Sequence, residues 1–194
     1  MSIRLARKED LEQIRNIYAP YVTDTAVSFE YEVPTPEEFE QRFSGITAQF
    51  PWLVWEENGE ILGYAYGSAP FERAAYQWCA ESSIYLASHA RGRGIGRKLQ
   101  TALEEILKRQ GYRILYALIT SENQASLDFH RAVGFSDCAV FENCGYKFGR
   151  LHSVIWLKKE LNPVETSTAV PFPAAMVVNS DGKFTEILDK MHLS

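Results

Sequence analysis

Apolar residues along the chain follow two spacings, and each spacing predicts a different element. Near the N-terminus they recur every three or four positions from Leu11 to Tyr21, which predicts a helix with one buried face. Residues 51–69 hold two β-rich runs joined by Asn58-Gly59. That dipeptide is the strongest short sequence signal for a β-hairpin, so we expect two antiparallel strands there.

Capping residues and glycines mark where further helices begin and end. Thr35, Pro36 and the acidic residues after them predict the start of a second helix. A third helix is expected from about residue 96 to 110, and Gly111 ends it. The nearly continuous apolar run at 112–120 is typical of a strand buried on both faces. The other predicted elements are a strand at 3–6, an extended segment at 25–32, a strand at 76–87, a short helix ending at Gly134, and two last strands within 137–161 around Asn143–Gly149.

The order of these elements predicts a mixed α/β (α+β) chain. Its first half is mostly antiparallel, and residues 80–119 form a β-α-β crossover. The length of 194 residues fits one domain, or one domain with an appendage. Prolines and small residues become frequent after residue 161. We therefore predict a domain over 1–161 and a C-terminal extension over 162–194, partly irregular, in which residues 181–194 could form a short helix.

Charge and composition limit the classes of partner. The formal net charge is −5, whereas general nucleic-acid binders and proteins on anionic membranes need a broad positive field. No run approaches the ~20 apolar residues of a membrane helix, and the charged N-terminus is unlike a secretion signal. The three cysteines are an odd number without paired metal-ligand spacing. We therefore expect a cytoplasmic protein with no metal, no nucleic acid and no membrane partner.

One basic, glycine-rich segment stands out against this acidic background. Residues 91–96 read RGRGIG and lie between a predicted strand and a predicted helix. Glycines let successive backbone N–H groups face one point, and the helix N-terminus behind them carries partial positive charge. Together they predict a phosphate site. The spacing fits neither a P-loop nor a Rossmann fingerprint, and a connector with solvated arginines is the alternative.

These residues resemble a known family. RGRGIG is similar to the R/Q-x-x-G-x-G/A loop of the GNAT acetyltransferases, whose loop amides hold the pyrophosphate of acetyl-CoA. ESSIYL before the loop and NQASLDFHRAVGF after it resemble the splayed strand and the downstream segment of that family. The likeness covers about residues 2–160. IYAPYV…TAVSFE, AYQWCAESSIYL and GYKFGRLHSVIW bring it closest to the phosphinothricin and methionine sulfoximine N-acetyltransferases.

The resemblance implies a fold and an activity. The fold is the GNAT fold, a mixed central sheet of about seven strands with flanking helices. The activity is direct transfer of an acetyl group from the cosubstrate acetyl-CoA to the amine of a small amino-acid-like molecule, by an enzyme that is typically a homodimer. Two alternatives stay open: acetylation of a protein N-terminus or lysine, and a non-catalytic acyl-CoA-binding module.

Two residues are candidate catalysts. Glu81, on the strand before the glycine loop, occupies by resemblance the position of the branch's catalytic glutamate in WxAES. A carboxylate can accept the proton that an ammonium, with a pKa of about 10, must lose before it attacks. His130 lies where many relatives carry a tyrosine that protonates the leaving thiolate. A packed helix histidine, with water as the proton donor, is the alternative, and His152 is expected to be structural.

The resemblance also implies residues that bind the coenzyme. The strand before the loop offers backbone groups to the acetyl carbonyl and the pantetheine arm, and the loop offers amides to the pyrophosphate. Asn123 and Ser126 are expected at the arm and the phosphates, although Asn123 suits a helix N-cap equally well. The predicted coenzyme-binding residues are Ile84, Tyr85, Leu86, Arg91, Gly92, Arg93, Gly94, Ile95, Gly96, Arg97, Asn123 and Ser126.

Four residues are implied for the acceptor. Arginine suits a carboxylate because its planar fork donates two hydrogen bonds. The sequence departs from the branch at Phe71, where herbicide-resistance enzymes carry a second cation, and at Glu30, where a basic residue is frequent. An amino acid, or an analogue such as methionine sulfoximine or sulfone, therefore fits better than the dianionic phosphinothricin. The predicted acceptor-binding residues are Phe29, Arg73, Ala75 and Tyr76.

Overall fold

The structure, a computed structural model, describes residues 2–163 and 169–180. Single 3₁₀ turns lie at Lys8–Asp10, Ala74–Tyr76 and Ser88–Ala90. The strands are β1 (Ser2–Leu5), β2 (Trp52–Glu57), β3 (Glu60–Ser68), β4 (Cys79–Leu86), β5 (Ile114–Thr120), β6 (Ser136–Lys147) and β7 (Arg150–Glu160). The helices are α1 (Leu11–Thr23), α2 (Pro36–Thr47), α3 (Ile95–Gln110), α4 (Gln124–Ala132) and α5 (Ala174–Ser180).

The strands form one mixed sheet in the order β1-β2-β3-β4-β5-β7-β6. Within the described chain, β4 and β5 run parallel, and every other neighbouring pair is antiparallel. The helix α3 connects the two parallel strands, as a parallel pair requires a crossover. The predicted mixed α/β architecture with its seven-stranded sheet is therefore confirmed.

Local sequence signals account for several boundaries. The hairpin between β2 and β3 turns at Asn58 and Gly59, whose φ angles of 52° and 83° are the left-handed values that such a turn requires. At the start of α2 the Thr35 hydroxyl accepts from the Glu38 amide (3.2 Å), and the Glu38 carboxylate accepts from the Thr35 amide (2.8 Å). Gly111, with φ of 98°, ends α3 as predicted.

Helices cover both faces of the sheet. On one face α3 buries Leu99, Leu103 and Leu107 completely, against the core that includes Leu115 of β5. On the other face α1 and α2 pack over β2 and β3, in a second cluster of buried residues. Each large apolar side chain buried in this way contributes about 1.5–3 kcal/mol. The two layers hold the central strands in place, and the candidate site is built on those strands.

Residues 25–32 depart from the prediction. Instead of an extended segment, the chain forms an irregular loop with bends between α1 and α2. Its backbone groups bond to side chains: the Thr25 hydroxyl donates to the Tyr21 carbonyl (2.7 Å) and accepts from the Val27 amide (3.2 Å). Local bonds of this kind replace the strand pairing that a β-rich composition favours.

The burial of β5 also departs from the prediction. Burial on both faces is expected, but Leu115, Ala117 and Ile119 are buried on one face while Tyr116 and Leu118 are half-buried on the other. The apolar run therefore belongs to a strand that has one closed face and one partly open face. The partly open face lies on the same side of the sheet as Glu81, which is the register partner of Tyr116.

The described part of the C-terminal extension packs onto the domain. Ala174 and Val177 of α5 are buried in the same core as α3. The helix considered for residues 181–194 lies outside the described residues. Among the residues that are described, no helix combines the length and the apolar character needed to cross a bilayer.

Candidate active site

The sheet opens between β4 and β5. These strands pair along three residues each, Cys79–Glu81 with Ile114–Tyr116. Beyond that point β4 stays paired with β3 up to Leu86, and β5 stays paired with β7 up to Thr120. The two strands therefore diverge after Glu81. We call this opening the fork.

Glu81 lies at the fork, as the last β4 residue that pairs with β5. Its side chain is half-buried. Burial disfavours the charged carboxylate and raises the pKa of Glu81 from 4.5 to about 7. A carboxyl group with this pKa is partly deprotonated at neutral pH and holds a proton strongly enough to act as a general base.

The backbone of β4 presents polar groups to the fork. The Ala87 amide donates to the Leu62 carbonyl of β3 (2.9 Å). Because antiparallel pairs alternate, the N–H and C=O groups of Ile84 and Leu86 point away from β3 and toward the fork. The groups of Leu86 already bond to the Tyr21 hydroxyl, so Ile84 is the residue of this edge that could pair with an extended molecule carrying amides. The Tyr85 ring instead packs against Tyr21, 5.0 Å between ring centroids.

Tyr21 is a site residue that sequence reasoning missed. Its hydroxyl donates to the Leu86 carbonyl (2.7 Å) and accepts from the Leu86 amide (3.2 Å). It therefore occupies both backbone groups of the last β4 residue. In the sequence Tyr21 is one position of an apolar helix stripe, and no signal there separates it from a core residue.

The glycine loop has the conformation that an anion site requires. Gly92 and Gly94 have left-handed φ angles of 75° and 78°, and a Cβ at either position would meet nothing within 4 Å. Backbone conformation, rather than space, therefore demands glycine there. Gly96 differs, because it is a residue of α3 and a Cβ there would lie 3.5 Å from the Leu86 side chain.

The start of α3 fits a bound anion. Gly94 is its N-cap, and no side chain caps the helix. The first-turn amides therefore lack an intramolecular partner from a cap, and the helix dipole adds positive potential. Phosphate groups, such as the pyrophosphate of acetyl-CoA, are the ligands that suit such a terminus.

The cations of the loop have different surroundings. The Arg91 guanidinium lies over the Tyr21 ring, 5.3 Å from its centroid. Arg93 forms an ion pair with Glu57 of β2 (2.7 Å), so the Arg93 guanidinium points toward the domain. Arg97 is exposed, whereas its neighbour Ile95 is buried in the core. Arg91 and Arg97 are therefore better placed than Arg93 to meet a phosphate.

Asn123 was expected either as a helix N-cap or as a contact with the coenzyme, and at the start of α4 it is an N-cap. The Asn123 side-chain oxygen accepts from the Ser126 amide (3.3 Å), so Asn123 is an N-cap. The Ser126 hydroxyl lies 3.3 Å from Nδ1 of His130, one turn later. A capping Asn123 leaves its amide NH₂ group for other partners, so the cap and a contact with the coenzyme are compatible.

His130 has the surroundings of a packed helix histidine. It is 6% exposed, and its Nδ1 lies 2.8 Å from the Ser126 carbonyl, which fixes Nδ1 as the protonated nitrogen. Within the described chain the buried Nε2 has no hydrogen-bond partner. Burial lowers the pKa of His130. A neutral ring whose one proton is already bonded is a poor proton donor, so the geometry favours the alternative in which water protonates the thiolate.

On the acceptor side, Lys147 fixes the loop that carries Phe29. Lys147 is 3% exposed, and its ammonium donates to three carbonyls of this loop and the end of α1. These are the carbonyls of Val22 (2.7 Å), Thr25 (2.9 Å) and Ser28 (2.6 Å). The Phe29 ring is 37% exposed and lies against Gly145 of β6, where any Cβ would collide with it. No sequence signal identified Lys147.

His152 joins the acceptor side to the coenzyme side. It is buried, and its ring nitrogens lie 3.0 Å from the Lys147 carbonyl and 3.1 Å from the Glu122 carboxylate. Glu122 immediately precedes Asn123 in the chain. The structural role expected for His152 is therefore consistent with its contacts.

Glu30, a departure from the branch pattern, is paired within the domain. Its carboxylate forms an ion pair with Arg42 of α2 and accepts a hydrogen bond from the Tyr18 hydroxyl (3.0 Å). Arg42 therefore places a cation near position 30, where this chain has a glutamate instead of a basic residue. Nothing in the sequence linked Arg42 to this loop.

The remaining acceptor residues lie on the segment between β3 and β4, residues 69–78, which we call the acceptor loop. Arg73, Ala75 and Tyr76 are exposed on it. Phe71 is held by aromatic contacts with Trp156 of β7 and Tyr116 of β5, at 5.7 and 5.9 Å between ring centroids. The loop starts beside Ser68, the β3 register partner of Glu81. Phe71 therefore lies on the partly open side of the sheet, the side that carries Glu81.

Two cavities flank these elements. One of about 540 Å³ lies between α1 and the end of β4 and is lined by Tyr21, Leu86 and Arg91, among others. The other, of about 280 Å³, lies behind the acceptor loop and is lined by Arg73 and Tyr76, among others. Glu81 lines neither, so the catalytic candidate lies at the open fork between them.

Comparisons with known proteins identify the family of the chain. The acetyltransferase (GNAT) domain model matches residues 3–156. A phosphinothricin N-acetyltransferase of Alcaligenes faecalis is 36% identical over 168 residues, 86% of this chain and 85% of that one. An L-methionine sulfoximine/L-methionine sulfone acetyltransferase of Salmonella typhimurium is 32% identical over 163 residues, covering 84% and 95%. The crystal structure of a phosphinothricin acetyltransferase from Sinorhizobium meliloti in complex with AcCoA superposes with a TM-score of 0.81 at 33% identity, covering 88% and 97%.

Proposed function

The chain belongs to the GNAT acetyltransferases, which are acetyl-CoA-dependent N-acetyltransferases, and from this premise we propose that its acceptor is the amine of a small amino-acid-like molecule. The observation that carries the proposal is Glu81, a half-buried carboxyl with a raised pKa at the point where β4 and β5 separate. A fork in the sheet admits the extended arm of the coenzyme, and Glu81 stands beside it.

The reaction is direct transfer in one ternary complex. Glu81 takes a proton from the substrate ammonium, directly or through a water. The free amine attacks the thioester carbonyl carbon and a C–N bond forms. The nitrogen then loses its remaining extra proton to water as the C–S bond breaks. The thiolate of coenzyme A then takes a proton from water, because the one proton of neutral His130 is bonded to the Ser126 carbonyl.

The oxyanion donor is the Ile84 amide. Leu86 also belongs to the strand expected to meet the acetyl carbonyl, but its amide already donates to the Tyr21 hydroxyl. Ile84 lies two residues earlier on the same edge of β4, so its N–H points toward the fork as well. A backbone N–H aimed at a developing oxyanion stabilises the transition state because it needs no reorganisation.

The acceptor loop supports an amino-acid acceptor. Arg73 is exposed on it and can bind one carboxylate through two hydrogen bonds. Phe71 packs on Trp156 and Tyr116 and supplies no second cation. One exposed cation beside aromatic rings suits a carboxylate with a weakly polar side chain, such as methionine sulfoximine or sulfone, better than a dianion.

The test is an acceptor panel. Purified enzyme and acetyl-CoA are mixed with methionine sulfoximine, methionine sulfone, phosphinothricin or a peptide with a free N-terminus, and thiol release is followed. We expect release with the sulfoximine and the sulfone, and less with phosphinothricin. Thiol release with the peptide, and with no other acceptor of the panel, would favour a protein acceptor. Coenzyme binding without thiol release would favour a non-catalytic module. The variant Glu81→Gln is assayed beside the wild type. Glu37→Gln, which changes an exposed side chain of α2, is its matched control.

We also propose that the enzyme is a homodimer formed through β6 and β7. Val140, Phe141, Tyr146, Phe148 and Leu151 are 47–58% exposed on this edge hairpin. Monomers rarely leave so much apolar surface on an edge strand uncovered. Sedimentation should give twice the chain mass of 22.1 kDa, and Val140→Glu should give the monomer.

The three unpaired cysteines support the further proposal of a reducing, cytoplasmic location.

A further inference from the structure

The C-terminal extension contains a segment that lies beyond the family match of residues 3–156. Residues 169–177, which we call the strap, cross the end of the sheet where β4 and β5 begin. Its contacts fall into two groups, one with the body of the domain and one with the acceptor loop. The two groups together suggest what the strap does.

The strap is fixed to the body of the domain by partly buried hydrogen bonds. Gln110, at the end of α3, is fully buried, and its side-chain NH₂ group donates to the carbonyls of Gln49 and Phe172, each at 2.8 Å. The Phe172 amide donates back to the Gln110 carbonyl (3.1 Å), and the Ala174 amide donates to the Gln49 carbonyl (3.1 Å). Together with the burial of Val177 in the core, these bonds hold the strap as a rigid support.

The acceptor loop rests on this support. The indole N–H of Trp78 donates to the Ala169 carbonyl at 3.0 Å. The strap residues Val170 and Pro171 also form one wall of the 280 Å³ cavity whose opposite wall contains Arg73 and Tyr76. The strap therefore contacts the loop at its base and faces the residues that are exposed to an acceptor.

The acceptor loop has few internal bonds of its own. It contains one short turn, in which the Tyr76 amide donates to the Arg73 carbonyl (2.9 Å) and the Gln77 amide donates to the Ala74 carbonyl (3.1 Å). Its first half is held by the aromatic contacts of Phe71 with Trp156 and Tyr116, whereas residues 73–78 depend on this turn, on the packing of Tyr76 against Phe71 and on neighbouring elements. A displacement of about 1 Å at a binding residue is enough to weaken substrate positioning.

We propose that the strap is a positioning element for the acceptor loop, and that Trp78 transmits its effect by bonding to Ala169. This rests on the proposed function, in which Arg73 and Tyr76 bind the acceptor. Trp78 does not act on the reacting atoms. It sets the conformation of the loop, and it therefore affects how well the amine binds rather than how fast the bound amine reacts.

The test compares Trp78→Phe with Met176→Ala in the full-length chain. The first removes the indole N–H and keeps an aromatic ring, and the second alters a strap side chain that is 59% exposed. For each variant we measure hydrogen exchange at the Tyr76 and Gln77 amides, KM for methionine sulfoximine and KM for acetyl-CoA.

For Trp78→Phe we expect faster exchange and a KM for the amine raised about five-fold, the effect of one lost hydrogen bond. KM for acetyl-CoA and kcat should change by less than about two-fold, and Met176→Ala should change neither readout.

Three outcomes decide the proposal. Faster exchange together with a raised amine KM supports it. Unchanged exchange overturns it, because the strap then does not hold the loop, and faster exchange with an unchanged amine KM overturns it as well. If no amine in the panel is acetylated, the proposed function fails, and exchange at Tyr76 and Gln77 still shows whether the strap holds the loop.

Discussion

The coenzyme side of the candidate site takes most of its groups from one continuous stretch, residues 84–97, whereas the acceptor side gathers its groups from segments far apart in the sequence. The stretch 84–97 contains the end of β4, the glycine loop and the start of α3. The acceptor side combines the loop after α1, the acceptor loop, the β6–β7 hairpin and the strap. A binding site made of one stretch depends on backbone conformation, and a site made of several depends on the bonds between them.

This contrast explains the different roles of charge on the two sides. The proposed coenzyme side offers backbone amides and the dipole of α3, which would bind phosphate through the backbone rather than through a particular side chain. On the acceptor side a buried lysine, Lys147, and the Glu30–Arg42 ion pair hold the loop around Phe29. Because these groups act on conformation, we expect substitutions on this side to alter acceptor binding without affecting the coenzyme.

The largest expected effect comes from Glu81, which stands where the two sides meet. Glu81→Gln should lower kcat by about 10²–10⁴, the usual contribution of a general base, while the affinity for acetyl-CoA stays unchanged. Calorimetry with coenzyme A and steady-state rates measure the two quantities. In the wild type kcat should rise with pH until about pH 7, where Glu81 loses its proton, and this step should be absent in the variant. A variant with wild-type kcat would remove Glu81 from the mechanism.

The next largest effect is expected at Lys147 and concerns the acceptor side alone. Lys147→Met leaves the carbonyls of Val22, Thr25 and Ser28 without this donor and should lower the free energy of unfolding by about 2–3 kcal/mol. At a temperature where the variant stays folded, KM for the amine should rise while KM for acetyl-CoA does not. Lys158→Met, on the exposed side of β7, is the matched control and should change neither. Equal shifts in both KM values would show that the two sides are not separable.

The smallest effect is expected in the glycine loop and concerns the coenzyme side alone. Gly94→Val forces a branched side chain into a left-handed conformation, which costs about 1–2 kcal/mol, and should weaken coenzyme A binding about tenfold. Gly59→Val is a close control, because Gly59 has a φ of 83° and equally open space but lies in the β2–β3 hairpin. Calorimetry of both variants separates backbone strain from a loss at the binding site. Undiminished binding by Gly94→Val would contradict the assignment of the loop to the pyrophosphate.

The sequence reports the local structure of the proposed coenzyme side better than that of the proposed acceptor side, for a physical reason. Gly92, Gly94 and the start of α3 are local features, and glycine spacing and helix periodicity report them directly. The contacts of Lys147 with Val22 and of Tyr21 with Leu86 span 125 and 65 residues, and a single sequence carries no record of such pairs. The same limit applies to the strap, because its proline-rich composition indicates irregular structure but not where it packs.

Two predicted elements show the same limit at the level of secondary structure. Residues 25–32 have strand propensity, but bonds from Thr25 and Lys147 hold them as an irregular loop. β5 has the composition of a strand buried on both faces, but its face with Tyr116 is partly open beside the fork. In both cases tertiary contacts, which the local pattern does not contain, decide the outcome.

Because β4 and β5 pair along only three residues each, two strand edges remain in the middle of the sheet rather than at its margin. Tyr21 covers the last residue of one of them. An extended, amide-bearing cosubstrate lying between these edges would serve as a missing strand, and a ligand that binds only the folded state stabilises it in proportion to the logarithm of its concentration. The concentration of acetyl-CoA would thus also set the free energy of unfolding of this enzyme.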